Sequence, residues 1–136
     1  MVALMEWSEK LSVGINSIDT QHKQLVALIN NLFEALSHGK GDQALAPILN
    51  ELIVYTKTHF AYEERLFAQY AYPEAAQHKA EHDKLAARVV DIQKQMQEGK
   101  VGLSVGTMTF LKEWLSNHIV GTDKKYSPFL IGKGVV

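Results

Sequence analysis

The sequence predicts an all-α protein: an up-down-up-down antiparallel four-helix bundle with an extended N-terminal arm and a short C-terminal tail. Two observations carry this reading. Apolar residues recur at three- and four-residue intervals through four long stretches, which is the spacing of a single helix face. Short breaks marked by glycine or proline separate the stretches, and connections that short join antiparallel neighbours. At 136 residues the chain can bury a real core as one domain, 1–136. It contains no repeat, low-complexity segment or second domain.

The arm, residues 1–18, holds Gly14 and the partly alternating LSVGINSI, and reads as extended. The first helix spans about 18–37; Ser17 or Asp19 is placed to cap it, and Gly39 and Gly41 end it. Its inward seam is His22, Leu25, Ile29, Leu32 and Leu36. The second helix spans about 42–70, with the seam Ile48, Leu52, Tyr55, His59, Glu63, Leu66 and Tyr70. Pro47 implies either an irregular opening turn or a regular helix that begins at the proline. Pro73 suits the first turn of the third helix, about 73–98, which Gly99 closes. That seam runs His78, His82, Leu85, Val89, Ile92 and Met96. Ser104 is placed to cap the fourth helix, about 104–121, with the seam Met108, Leu111, Leu115 and His118 and a stop near Gly121. Ser127-Pro128 marks an irregular tail.

Bulk properties remove several function classes. A formal net charge of −1 lacks the basic footprint of a nucleic-acid binder. Cysteine is absent, which rules out disulfides and thiolate metal sites. MVALMEWSEK lacks the pattern of a signal peptide, and no apolar run approaches the roughly 20 residues of a membrane span. The expectation is a monomeric cytoplasmic protein that binds neither nucleic acid nor membrane.

Histidine placement points to the chemistry. Of six histidines, His22, His59, His78, His82 and His118 lie on inward seams, while His38 lies in the loop SHGKG. A lone seam histidine is ordinarily a hydrogen-bonded core residue. Five would each need a buried partner, and few other polar residues share these seams. His59 and Glu63 are four apart, as are His78 and His82, so each pair projects from one helix face. A glutamate buried among histidines is costly unless it meets a cation. Asp123 follows His118 by five residues, about 140° past a full α-helical turn, so a regular helix would not put both on one face. By itself Asp123 reads as a surface carboxylate beside Lys124 and Lys125, unless the helix loosens near Gly121.

HKAEH, residues 78–82, also spells H-x-x-E-H, the inverted zinc-protease helix. That reading fails on two counts. Five histidines are too many for one zinc, and Glu81 points about 100° away from His82 toward the polar side of Lys84 and Arg88. Glu81 is therefore expected to matter little to a metal.

Two metals fit better. His22 within DTQHKQL, HFAYE at 59–63, HKAEH at 78–82 and HIVGTD at 118–123 together resemble the hemerythrin family, and EWSEKLSVGINSID resembles its N-terminal arm. The resemblance is to single-domain bacterial members and covers nearly the whole chain. It implies two non-haem irons with an oxo or hydroxo bridge. His78, His82 and His118 would bind one iron, His22 and His59 the other, and Glu63 and Asp123 would bridge them. Around two octahedral irons, these ligands and the bridging oxygen leave one position open, on the iron with two histidines.

The function so implied is reversible dioxygen binding for transport, storage or delivery, with no catalytic residues and an unidentified protein acceptor. Oxygen-activating di-iron bundles use Glu-x-x-His motifs, and none occurs in this sequence. Phe60, Trp114, Leu115 and Ile119 lie near ligands in sequence and are expected to wall a dry dioxygen pocket as well as to pack the core. Tyr126 lies near Asp123 with no role that the sequence assigns. Two rivals stay open: an oxygen or redox sensor, and a di-iron enzyme handling peroxide or nitric oxide.

Overall fold

The computed structural model describes residues 4–39, 42–99 and 105–136. A short 3-10 turn, Glu9–Leu11, precedes α1 (Asn16–Ser37), α2 (Asp42–Tyr70), α3 (Ala75–Gln97) and α4 (Val105–His118). A π-helical turn, Ile119–Asp123, joins α4 directly to α5 (Lys124–Gly132). No strand occurs among the described residues. The architecture is the all-α four-helix bundle, with α1 packed on α2 and α4, and α2 packed on α3.

The capping expectations for α1 are overturned. Its N-cap is Ile15, without a side-chain cap. Asp19 instead accepts from Val13 N at 2.8 Å and Ser12 Oγ at 2.5 Å, while Ser17 Oγ accepts from Tyr62 OH at 3.0 Å. Both side chains are spent on fastening neighbouring segments to the helix. The arm is also clasped to α1 by Asn30, which exchanges hydrogen bonds with Met5 N and O at 3.0 and 2.8 Å. Ser127 Oγ donates to Val13 O from α5. These ties let Met5, Leu11, Val13 and Ile15 close one end of the core.

Gly39 ends α1 at φ +73°; Gly41 and Ser104 lie outside the described residues. Helix α2 passes regularly through Pro47, contrary to both readings of that residue. The proline removes only the bond to the Gln43 carbonyl, one turn from the exposed helix start. The buried row of α2 is Leu45, Leu49, Leu52, Thr56, His59, Glu63 and Phe67; Ile48, Tyr55, Leu66 and Tyr70 are only partly buried beside it. Pro73 does not begin α3. It occupies the second position of a turn closed by Ala75 N to Tyr72 O at 3.2 Å, and the helix starts at Ala75.

The largest departure is at the C-terminal end. Neither Gly121 nor Ser127-Pro128 breaks the chain, which stays helical to Gly132. Gly121 does not take a positive φ. Tyr126 and Leu130, four apart and fully buried, give α5 an apolar face that packs it against the bundle.

Candidate metal centre

Helix geometry alone brings two candidate ligand pairs inward, His59 with Glu63 on α2 and His78 with His82 on α3. His22 faces them from the first turns of α1, and His118 from the last residue of α4. Asp123 needs more. The π-helical turn Ile119–Asp123 has i→i+5 bonding, which widens the helix so that residues five apart share a face. It brings Asp123 Oδ1 within 3.0 Å of His118 Nε2. The surface-carboxylate reading of Asp123 is thus wrong: it is fully buried, as are Glu63 and His22.

All five imidazoles turn Nε2 toward the two carboxylates. Asp123 Oδ1 lies 3.0 Å from His78 Nε2, and Asp123 Oδ2 lies 3.1 Å from His22 Nε2. Glu63 Oε1 lies 3.0 Å from His82 Nε2 and 3.5 Å from His59 Nε2. These contacts are not satisfied hydrogen bonds. Each of the five Nε2 atoms, with Glu63 Oε1 and both Asp123 oxygens, is buried without a hydrogen-bond partner. Leaving one such atom unmet costs about 1–3 kcal/mol, so a convergent set of orphans is the signature of a metal cradle. The donors form two groups, Glu63, His78, His82, His118, Asp123 and His22, His59, Glu63, Asp123. Both carboxylates belong to both groups, as bridges would. This all-nitrogen-and-oxygen donor set suits iron and offers none of the thiolates of a structural zinc site.

Electrostatics agree with a cation site. Burial holds His59 down at about 4, against the opposing pull of Glu63 and Asp123. Burial also penalises charge on Glu63, yet the surrounding imidazoles outweigh it and hold the carboxyl at about 2. Asp123 is likewise held well below its ordinary value, by His118, His22 and His78 against burial. Burial works against a charged His78, but the carboxylates of Asp123 and Glu63 lift it to about 9, and His118 is raised in the same way. In the metal-free chain the two carboxylates thus favour positive charge on neighbouring imidazoles, a role that a bound metal would take over.

An outer layer holds the ligand rings, and sequence reasoning missed it. His59 Nδ1 meets Gln21 Oε1 at 2.6 Å, and His82 Nδ1 meets Glu64 Oε2 at 2.9 Å. Glu81, expected to stand apart, accepts from His118 Nδ1 at 3.1 Å and Thr122 Oγ1 at 2.6 Å. Glu81 does point away from His82 as helix geometry requires; the approach of α4 on that side is not visible in one helix. Tyr126, to which the sequence assigns no role, donates its buried hydroxyl to Glu63 Oε2.

Of the expected pocket residues, Leu115 and Ile119 are buried at 2% and 0% exposure. Phe60 stacks on His82 with centroids 3.9 Å apart and planes 4° apart, and lies 6.0 Å from His59. Trp114 packs near Phe60 at 6.4 Å and leaves its buried Nε1 unpartnered.

Fold and site together define a helical-bundle protein with a buried cluster of histidines and carboxylates in two groups, each able to hold a metal ion. Residues 13–130 match the family described as hemerythrin HHE cation binding domain. The chain belongs to the hemerythrin family, whose members bind dioxygen at two non-haem irons. It is 35% identical over 126 residues to a bacteriohemerythrin of Stenotrophomonas maltophilia, covering 93% of this chain and 81% of that one. It is 35% identical over 130 residues to a bacteriohemerythrin of Methylococcus capsulatus, covering 95% and 98%. The crystal structure of a wild-type hemerythrin superposes with a TM-score of 0.88 at 35% identity, covering 93% of this chain and 97% of that one.

Proposed function

We propose that the chain is a dioxygen carrier or store rather than an enzyme, with its irons held by His22, His59, Glu63, His78, His82, His118 and Asp123. The observation that carries this reading is the unequal sharing of histidines, three in one donor group and two in the other, around two shared carboxylates. The group with fewer protein donors is where a small ligand can add. Iron held by these residues would supply the electrons for reversible dioxygen binding. The protein's part is to keep that exchange reversible. Glu63 and Asp123 offset the cationic charge and fix the spacing between the two positions. Tyr126 secures Glu63 in its bridging orientation by donating to Oε2.

Leu115 and Ile119 exclude water from the side of His118, and Phe60 and Trp114 close the bundle around His82. The sequence has no Glu-x-x-His pair of the kind that oxygen-activating bundles use. Fewer carboxylates leave the centre less anionic, which disfavours the high oxidation states that turnover needs. No helix among the described residues is long and apolar enough to cross a membrane. We place the protein in the cytoplasm as a monomer, consistent with its lack of cysteine.

Repeated cycles of air and vacuum on the anaerobically reduced protein test the proposal. The ultraviolet-visible spectrum should switch between oxygenated and reduced forms without added reductant. One-way conversion, or steady consumption of reductant in air, would establish turnover instead.

A further inference from the structure

The ligand rings differ in what their outer nitrogens meet. His82 and His118, in the three-histidine group, face the carboxylates of Glu64 and Glu81 at 2.9 and 3.1 Å. In the two-histidine group, His59 faces the neutral amide of Gln21 at 2.6 Å. The other ring of that group, His22, has a buried Nδ1 with no hydrogen-bond partner. The anionic acceptors are thus confined to one half of the centre.

This asymmetry has an electronic consequence. With Nε2 turned inward, Nδ1 carries the proton and donates it to its acceptor. A carboxylate attracts that proton more strongly than an amide does, so it pushes more electron density through the ring to Nε2. A more basic imidazole favours ferric over ferrous iron. The two carboxylates are also well placed to hold this effect. Thr122 Oγ1, within the π-helical turn, pins Glu81 at 2.6 Å, and Phe60 stacked on His82 fixes the ring that faces Glu64.

We propose that Glu64 and Glu81 are positioning residues that make the three-histidine iron the harder of the two to reduce. The first electron given to a diferric centre then goes to the two-histidine iron, and the second to its partner. The two-histidine iron, next to the position left open, would then be the last of the two to be oxidised. The inference rests on the ligand assignment proposed above.

A reductive titration of the iron-loaded protein with dithionite and mediators, followed by electron paramagnetic resonance of the half-reduced form, tests it. Iron is counted first: fewer than two irons per chain would sink the ligand assignment, whereas two irons with unmoved potentials would sink this proposal alone. Glu64→Gln with Glu81→Gln should raise the second potential toward the first, by about 59 mV for each tenfold loss of ferric preference. Gln21→Glu should lower the first potential toward the second. Both changes narrow the gap and reduce the half-reduced population, but they move the mean potential in opposite directions. Asp83→Asn removes a charge beside His82 that pairs with Lys79 and touches no ligand, and it should leave the gap unchanged. A wider gap in the Glu64 and Glu81 variant, or an equal shift from Asp83→Asn, would overturn the proposal.

Discussion

Helices α2 and α3 deliver their candidate ligands in pairs four residues apart, whereas α1 offers His22 alone and the α4–α5 segment offers His118 and Asp123 five residues apart. In α2 and α3 the four-residue spacing of His59 with Glu63 and of His78 with His82 is a property of any α-helix. The α2 pair sits within a long buried row, so packing on both sides holds its register. On α3 the expected seam residues Leu85 and Ile92 are only partly buried, and Val89 and Met96 continue the buried face beyond His82. Asp123 depends instead on one widened turn, Ile119–Asp123, that converts a five-residue spacing into a shared face. The regular half supplies robustness; the irregular half turns a second buried carboxylate into the cluster where a regular α4 would carry it outward. A local backbone change should therefore damage the two halves very differently.

Inserting one alanine between Gly121 and Thr122 should have the largest effect. It swings Asp123 by about 100° and removes one bridge, so both irons should be lost while helicity stays high. Deleting Gly121 makes the pair four apart, the spacing of His59 and Glu63, and a plain α-helical turn should then serve. Retention of two irons in the deletion and loss in the insertion, measured by metal analysis, would show that register is the purpose of the π turn. Equal loss in both would contradict it.

On the regular side, Glu63→Gln keeps shape but removes the charge that offsets two cations. The expected outcome is weaker iron retention against a chelator and loss of the oxygenated spectrum, with far-ultraviolet circular dichroism unchanged. Unaltered oxygenation would exclude Glu63 as a bridge.

The iron-free chain should show a stability maximum near pH 6.5. Below it, Glu63 titrates at about 2 rather than 4.5 and His59 at about 4 rather than 6.5. In those ranges the unfolded chain binds more protons, so stability rises with pH. His78 is raised from 6.5 to about 9, which makes its contribution full below 6.5 and lost as pH climbs through 9. Iron replaces the proton on His78, so loading should abolish the alkaline decline. Thermal melting of both forms across pH checks this; an alkaline decline that iron leaves intact would remove His78 from the ligand set.

The smallest expected effect on metal comes from the lining. Leu115→Ala leaves every ligand in place and opens a cavity at a buried site, costing about 2–5 kcal/mol. Two irons should remain, but the oxygenated form should decay to the ferric state much faster in air, with Ile119→Ala behaving more mildly. Unchanged autoxidation in both would reduce these residues to core packing.

The candidate metal-binding cluster is legible in the sequence because periodicity and residue type coincide: burying five histidines and a glutamate on apolar seams is costly unless a metal gathers them. Helix-scale features are legible for the same reason. The sequence does not show that Asp19 and Ser17 are drawn away from capping, because Val13, Ser12 and Tyr62 reach them only in three dimensions. Gly121 and Pro128 read as breaks because local propensity opposes a helix there; burial of Tyr126 and Leu130 overrides it. Gln21, Glu64 and Glu81 lie on polar faces that are indistinguishable from solvated ones until a neighbouring helix arrives.

In the proposed centre, Glu63 and Asp123 each serve both metal positions. The most direct measurement combines iron analysis with electron paramagnetic resonance of the air-oxidised protein. A pair joined by Glu63, Asp123 and an oxygen bridge should give two irons per chain and no resonance, because the two ferric spins couple and cancel. One iron per chain with the signal of an isolated ferric ion would contradict the account.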